Sequence, residues 1–245
     1  MFNLERVFKD KLSFPIEIYA DGADIDSFLE LNKLDYIKGF TTNPSLLKKS
    51  GVKNYKLFAK DLLKVINKPI SFEVFSDDPK EIITQAKEIN SWGKNVFVKV
   101  PIVNTQNRSL VDLVGELLGN NIKCNVTAIF TIDKIIDLTK IIKNNKTEVI
   151  FSIFSGRIAD TGVDPSNIIG KAVEFTKTTK NVKILWASTR ELFNIYQASQ
   201  LKCHIITIPI DILKKLNLIN KDLNEFSLET VKDFYRDAQS SGLKI

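Results

Sequence analysis

The feature that most constrains this chain is one alternation, repeated along nearly its whole length. Short runs rich in β-branched and aromatic residues occur at Glu17–Asp21, Tyr36–Thr42, Pro69–Phe75, Asn95–Pro101, Lys123–Phe130, Glu148–Phe154, Val182–Ser188 and Cys203–Pro209. Each has the length and composition of a buried strand. Between them lie stretches with helical period. Asp78 followed by Pro79 marks a helix start, because an aspartate can accept from free N–H groups and proline fits the first turn. Ile82, Ile83, Ala86 and Ile89 then fall on one face. The segment from Thr131 repeats the pattern with Ile132, Ile135, Ile136 and Ile142, and another opens at Asp164-Pro165 and continues through Ile168, Ile169 and Ala172. Strand, helix and strand in succession require parallel strands joined by right-handed crossovers. Eight such units in 245 residues predict an α/β chain closed into a (β/α)8 TIM barrel, a single domain over residues 1–245. A doubly wound open sheet is the alternative.

Two segments lie outside the repeat. Leu4, Val7, Phe8 and Leu12 stand at helical spacing and predict a short N-terminal helix packed across the bottom of the barrel. After Asn220 the pattern predicts an extra C-terminal helix, Leu228 to Gln239, with Val231, Phe234 and Tyr235 as apolar anchors toward the barrel or a neighbouring subunit.

Composition narrows the function. With 44% hydrophobic and 26% charged residues, the chain can bury a large core and is not a disordered or disulfide-scaffold sequence. Lys+Arg 35 against Asp+Glu 29 leaves +6, but the lysines are scattered among acidic residues and form no basic arm. That pattern describes a solvated surface and gives no reason to expect a nucleic-acid partner. No apolar run approaches the roughly 18 residues of a membrane helix, and Glu5, Arg6, Lys9, Asp10 and Lys11 interrupt any signal-peptide core. A cytoplasmic protein with no membrane partner is expected. One His and two Cys are too few for a His-rich or Cys-rich zinc site, so no metal is expected. Cys124 and Cys203 fall on strands that are not neighbours in an eight-stranded barrel, and a disulfide between them is not expected. Cys203 and His204, at the bottom end of the last strand, read as structural. None of the ten glycines forms a G-x-G-x-x-G or a Walker loop, and no nucleotide or other cofactor is implied.

In a TIM barrel the site lies at the C-terminal ends of the strands. Those ends carry Asp21, Thr41-Thr42-Asn43-Pro44, Glu73, Lys99, Asn125 with Thr127, Ser152 and Ser188. Residues two apart share a face, which pairs Phe97 with Lys99, Asn125 with Thr127, Ser152 with Phe154 and Trp186 with Ser188. If these faces point inward, a lysine stands among carboxylates, hydroxyls, amides and large apolar groups. Burial in general disfavours an ammonium ion, and a neutral amine can attack a carbonyl to form a Schiff base. A lysine snorkelling to solvent is the plainer reading of Lys99. Arg157 follows strand 6, and Ser188-Thr189-Arg190 ends strand 7 and is expected to open a helix whose free N–H groups favour an anion. The plainer reading of Arg190 is a surface residue paired with Glu191 or another neighbour.

These pieces, in this order, resemble the transaldolase family, class I Schiff-base aldolases on an α/β barrel whose short members include fructose 6-phosphate aldolase. The resemblance runs from about Ile16 to Pro209 through Tyr19-Ala20-Asp21, Gly39-Phe40-Thr41-Thr42-Asn43-Pro44-Ser45, Val98-Lys99-Val100-Pro101, Asn125-Val126-Thr127, Phe154-Ser155-Gly156-Arg157-Ile158 and Ala187-Ser188-Thr189-Arg190. It implies Lys99 as the Schiff-base lysine, Asp21 as a proton-transfer group, and Glu73 with Thr127 around the catalytic water. It further implies Asn43 and Asn125 on donor hydroxyls, Thr41 and Ser152 in the same pocket, and Arg157, Ser188 and Arg190 on the phosphate. Sugar-phosphate substrates and a homo-oligomer follow from the same likeness. Glu73, Asn125 and Phe154 resemble transaldolases proper, where the free aldolases carry Gln, an apolar residue and Tyr. Transfer of a dihydroxyacetone unit is the implied reaction. A free aldolase and a non-catalytic sugar-phosphate binding protein are the competing readings. Asn104-Thr105-Gln106-Asn107-Arg108 departs from the family's shorter Gly-containing loop and leaves the acceptor open.

Overall fold

In this computed structural model the structure describes residues 16–242; the N-terminal helix expected around Leu4 to Leu12 lies outside them. The strands are β1 (Glu17–Asp21), β2 (Ile37–Thr41), β3 (Ile70–Glu73), β4 (Val96–Pro101), β5 (Cys124–Ile129), β6 (Val149–Ile153), β7 (Val182–Trp186) and β8 (Ile205–Pro209). All pairs are parallel, and β8 pairs with β1, so the sheet closes as the alternation requires. The helices are α1 (Ile25–Asn32), α2 (Pro44–Lys49), α3 (Tyr55–Leu63), α4 (Pro79–Asn90), α5 (Val111–Gly119), α6 (Ile132–Ile142), α7 (Ser155–Ala159), α8 (Ser166–Thr176), α9 (Asn194–Gln200), α10 (Ile210–Leu213) and α11 (Leu223–Ser241).

Local chemistry accounts for the helix starts. The Asp78 carboxylate accepts from the N–H groups of Lys80 and Glu81, with Pro79 at the first helical position. Asn43 caps α2 in the same way through Leu46 N–H, with Pro44 behind it. Ile82, Ala86 and Ile89 of α4 and Ile135, Leu138 and Ile142 of α6 are buried against the sheet. The last helix is longer than its apolar pattern predicts: Asp222 caps it at Asn224 and Glu225, six residues before Leu228 enters.

Two separate apolar clusters follow from strand parity. The larger fills the space between sheet and helices. The smaller lies inside the barrel and is built from Tyr19, Phe97, Ile150, Leu185, Ala187 and Ile205, with Phe154 against it. Above this apolar plug the inward positions turn polar, and that change of character makes one end of the barrel a site. At the opposite end Lys183 meets Glu17 at 2.6 Å, and Lys123 lies 5.0 Å over the Phe97 ring. His204 Nδ1 accepts from Ile184 N–H at 3.0 Å, and Cys124 and Cys203 are buried and free. Among the described residues no helix is long and apolar enough to cross a membrane.

Candidate active site

Register places the reactive-looking groups side by side. Glu73 is opposite Lys99, and Lys99 is opposite Asn125, so three neighbouring strands present these side chains at one level. Lys99 is 6% exposed. Its Nζ donates to the Thr42 carbonyl at 3.0 Å and stands 3.1 Å from Glu73 Oε2. A lysine snorkelling to bulk water would not be held this way. Glu73 is fixed from behind, because its backbone N–H donates at 2.7 Å to the phenol oxygen of Tyr55, which packs edge-on against Phe72 and Trp92.

Asp21 closes the opposite wall. Its Oδ1 accepts from Thr41 Oγ1 at 2.7 Å, and Asn43 Nδ2 lies 3.5 Å from Oδ2. Burial holds this carboxyl above the usual carboxylate range; Lys99 and the hydrogen bonds from Thr41 and Asn43 act in the other direction, and Glu73 adds to the rise. The buried Asn125 donates to Ser71 Oγ at 2.9 Å and accepts from Ser152 Oγ at 2.6 Å. One amide hydrogen of Asn125 remains beyond these contacts. Thr127 Oγ1 is buried without a hydrogen-bond partner. Asp21, Thr41, Asn43, Glu73, Lys99, Thr127, Ser152, Phe154, Arg157, Ser188 and Arg190 all line one cavity of about 470 Å³, and Asn125, beside Lys99 in the register, is fully buried. A larger depression of about 930 Å³ adjoins it and shares Pro44, Glu73 and Pro101. Among the described residues no three His, Cys, Asp or Glu side chains are grouped to hold a metal ion.

Two details of the corner that carries Arg157, Ser188 and Arg190 differ from the sequence expectation. Trp186 and Ser188 do not share the inward face. Trp186 belongs to the outer core, β7 ends there, and Ser188 has a left-handed backbone with φ of 62°. Nor does Arg190 open a helix: α9 begins at Asn194, whose side-chain oxygen takes up the N–H groups of Arg190 and Glu191 at 3.0 and 3.2 Å. The cation partners are also specific. Arg190 forks onto Asp160, with Nε donating to Oδ1 at 3.2 Å and Nη2 to Oδ2, and this holds the Asp160 carboxyl below its usual range. Arg157 lies 5.6 Å over the Phe154 ring. The loops carrying the two arginines meet at Gly156, where a Cβ would fall 1.7 Å from the Ser188 carbonyl oxygen. Only glycine permits that approach.

Three neighbours of the site were not selected from the sequence. Ser71 and Thr207 are inward positions on β3 and β8, recoverable from parity once the face of each strand is known. Tyr55 is on α3, and nothing in its local pattern distinguishes it from a packing aromatic. The Asn104 loop folds back through the Val103–Ser109 bridge and is fastened to the β3 side, where Asp77 accepts from Thr105 N–H and Oγ1, both at 2.7 Å.

Fold and cavity together define a (β/α)8 barrel with a buried lysine and two carboxylates at its C-terminal mouth. More particularly, a family model described as Transaldolase/Fructose-6-phosphate aldolase matches residues 18–245, and the chain belongs to that family. A protein of Thermoanaerobacter named "Probable transaldolase" is 32% identical over 231 residues, covering 94% of this chain and 100% of its own. One of Methanococcus maripaludis with the same name is 31% identical over 215 residues, covering 87% and 94%. A crystal structure of a "putative lyase/mutase" from Burkholderia cenocepacia superposes with a TM-score of 0.56 at 12% identity, covering 98% of this chain and 91% of that one. That likeness concerns the fold alone.

Proposed function

We propose that this protein is a transaldolase, which moves a three-carbon dihydroxyacetone unit from a ketose phosphate to an aldose phosphate through an imine on Lys99. The observation that carries the reading is the placement of Lys99, buried between Glu73 and the Thr42 carbonyl and facing a cavity that also holds Asp21 and two arginines. In this mechanism the Lys99 nitrogen attacks the ketone carbon and the ketone oxygen leaves as water, giving an imine protonated on nitrogen. Asp21 takes the proton of the hydroxyl two carbons beyond the imine carbon, the carbon–carbon bond breaks, and an aldehyde departs. The electron pair stays on the three-carbon fragment as an enamine conjugated to Lys99 nitrogen. An incoming aldehyde reverses the step, and water then frees the new ketose.

Glu73 and the unpartnered hydroxyl of Thr127 are suited to hold that water. Asn43, Thr41 and Ser152 face the donor hydroxyls, with Asn125 acting through Ser152 and its remaining N–H. Arg157, Ser188 and Arg190 take the phosphate. Phe154 has no hydroxyl to deliver a proton to the enamine, which favours transfer over release. The reaction places the protein in cytoplasmic carbohydrate metabolism of the pentose phosphate kind, with sugar phosphates as its partners. It acts as a homo-oligomer: Leu228, Val231, Phe234 and Tyr235 of α11 are all more than half exposed, an apolar face for a second copy to cover.

The decisive experiment is incubation with fructose 6-phosphate and borohydride, followed by intact mass and peptide mapping. A single dihydroxyacetone adduct on Lys99 is expected, and none in Lys99→Ala or Lys99→Arg, neither of which can form the imine. Trapping on another lysine, or turnover by the alanine variant, would overturn the assignment.

A further inference from the structure

We propose that Thr207, on the strand that closes the barrel, is a positioning residue for Asp21: its hydroxyl starts a one-way hydrogen-bond chain through Thr41 that keeps Oδ1 an acceptor and leaves Oδ2 to carry the transferred proton. The proposal rests on the reading of Asp21 as the proton-transfer group.

The direction of the chain follows from counting hydrogens. Thr41 Oγ1 donates to Asp21 Oδ1 at 2.7 Å, and a hydroxyl has one hydrogen to give. The 2.5 Å contact between Thr41 Oγ1 and Thr207 Oγ1 is therefore made by the hydrogen of Thr207. Reversing the chain would put a proton on Oδ1 and send Thr207's own hydrogen to another acceptor. Among the described residues, the Thr207 hydroxyl has its hydrogen bond with Thr41. Thr207 is also held in place, at 5% exposure, with its carbonyl accepting from Thr189 Oγ1 at 2.7 Å and its register fixed opposite Tyr19. Oδ2 is the oxygen on the side of Asn43. Chains of this kind polarise along their length, so the Thr207 hydroxyl strengthens the bond that Thr41 gives to the carboxylate. Among the described residues the charged groups that act on Asp21 are Lys99 from β4 and Glu73 from β3, with Lys49, Arg157 and Arg190 elsewhere on the cavity wall; Thr41 and Asn43 are neutral, and β8 contributes no charge. Removing the Thr207 hydroxyl thus weakens stabilisation of the ionised carboxyl with no change in the surrounding charge.

The test uses Thr207→Val, which preserves shape, and Thr207→Ser, which restores the hydroxyl. In protein labelled with carbon-13 at aspartate carboxyls, the Asp21 signal is identified by its loss in Asp21→Asn and then titrated. The valine variant is expected to raise the Asp21 midpoint by about 0.5–1 pH unit, the size of one modest hydrogen bond, and the serine variant to restore it. In transfer from fructose 6-phosphate to erythrose 4-phosphate, the acid limb of kcat/KM, which reports the free protein, should move up with the midpoint in the valine variant, while KM at neutral pH and borohydride trapping on Lys99 are retained. An unshifted Asp21 midpoint in the valine variant, a serine variant shifted as far as the valine one, or a moved midpoint with an unmoved acid limb would each overturn the proposal. Absence of any Lys99 adduct in the unmodified protein would defeat the functional reading instead, and the carboxyl titration would still decide the chain.

Discussion

Gly156→Ala puts the architecture of the proposed phosphate corner to a quantitative test. A Cβ at this position falls 1.7 Å from the Ser188 carbonyl oxygen and 2.8 Å from its carbon, so α7 and the loop after β7 must part by about 1.3 Å to restore a 3.0 Å contact. The neighbour is backbone and cannot rotate away. Parting the two segments also loosens the 3.4 Å bond from Gly156 N–H to the Ala187 carbonyl. Overpacking of this size costs about 2 kcal/mol, or a fall in Tm of about 4–8 °C for a chain of this length. The larger effect is expected on function, because Arg157 rides on one segment and Ser188 with Arg190 on the other. A displacement near 1 Å in a substrate clamp lowers kcat/KM by about 10²-fold. The assay is steady-state transfer from fructose 6-phosphate to erythrose 4-phosphate, with thermal denaturation run in parallel. Gly170→Ala supplies the control: it lies within α8, its nearest neighbour is Leu201 Cδ2 at 3.8 Å, and it should gain about 0.5–1 kcal/mol with kinetics unchanged. A Gly156→Ala protein with the Tm and kcat/KM of the unmodified chain would refute the close-approach argument.

Arg157→Ala and Arg190→Ala should each raise KM for phosphorylated donors by about 10- to 100-fold, since a charge-assisted contact is worth about 1.5–3 kcal/mol; unchanged KM in both removes the phosphate from this corner. Phe154→Tyr adds a hydroxyl beside the proposed enamine and should increase the free dihydroxyacetone released from fructose 6-phosphate without acceptor, at the expense of transfer. The unmodified enzyme releasing it as fast as it transfers would replace the transaldolase reading by the free-aldolase one. At the far end of the barrel, burial and the nearby Lys183 hold His204 below the usual imidazole range, with Glu17 opposing. Its Nδ1 accepts a backbone N–H, so protonation is disfavoured in the fold. The resulting stability is present above the unfolded value of about 6.5 and is lost as pH falls through the lower folded value. His204→Asn keeps an acceptor that does not titrate, and chemical denaturation between pH 7 and 5 should show a shallower loss than in the unmodified chain; identical slopes would count against it.

The barrel was legible because its signals are local and repeated. Buried parallel strands need unbroken apolar runs, helices need caps and an apolar stripe, and both periods are written in adjacent residues, as Asp78-Pro79 and the isoleucines after it illustrate. The level of the site was legible too, since polar residues such as Lys99 and Asn125 interrupt strands that are otherwise apolar. Other features required the fold. Trp186 lies two residues before Ser188, yet the left-handed turn at Ser188 breaks the alternation that would have put both on one face. The helix expected at Ser188-Thr189-Arg190 is absent because the Asn194 side chain claims the free N–H groups. Arg190 turns to Asp160, thirty positions away in sequence. Thr207 reaches Thr41 only because the eighth strand pairs with the first. The sequence by itself determines which residues are strand, helix and strand end, because those choices depend on neighbours a few positions away. Which polar groups touch depends on barrel closure, register and the direction of single side chains, and these are decided by contacts between segments that are distant along the chain.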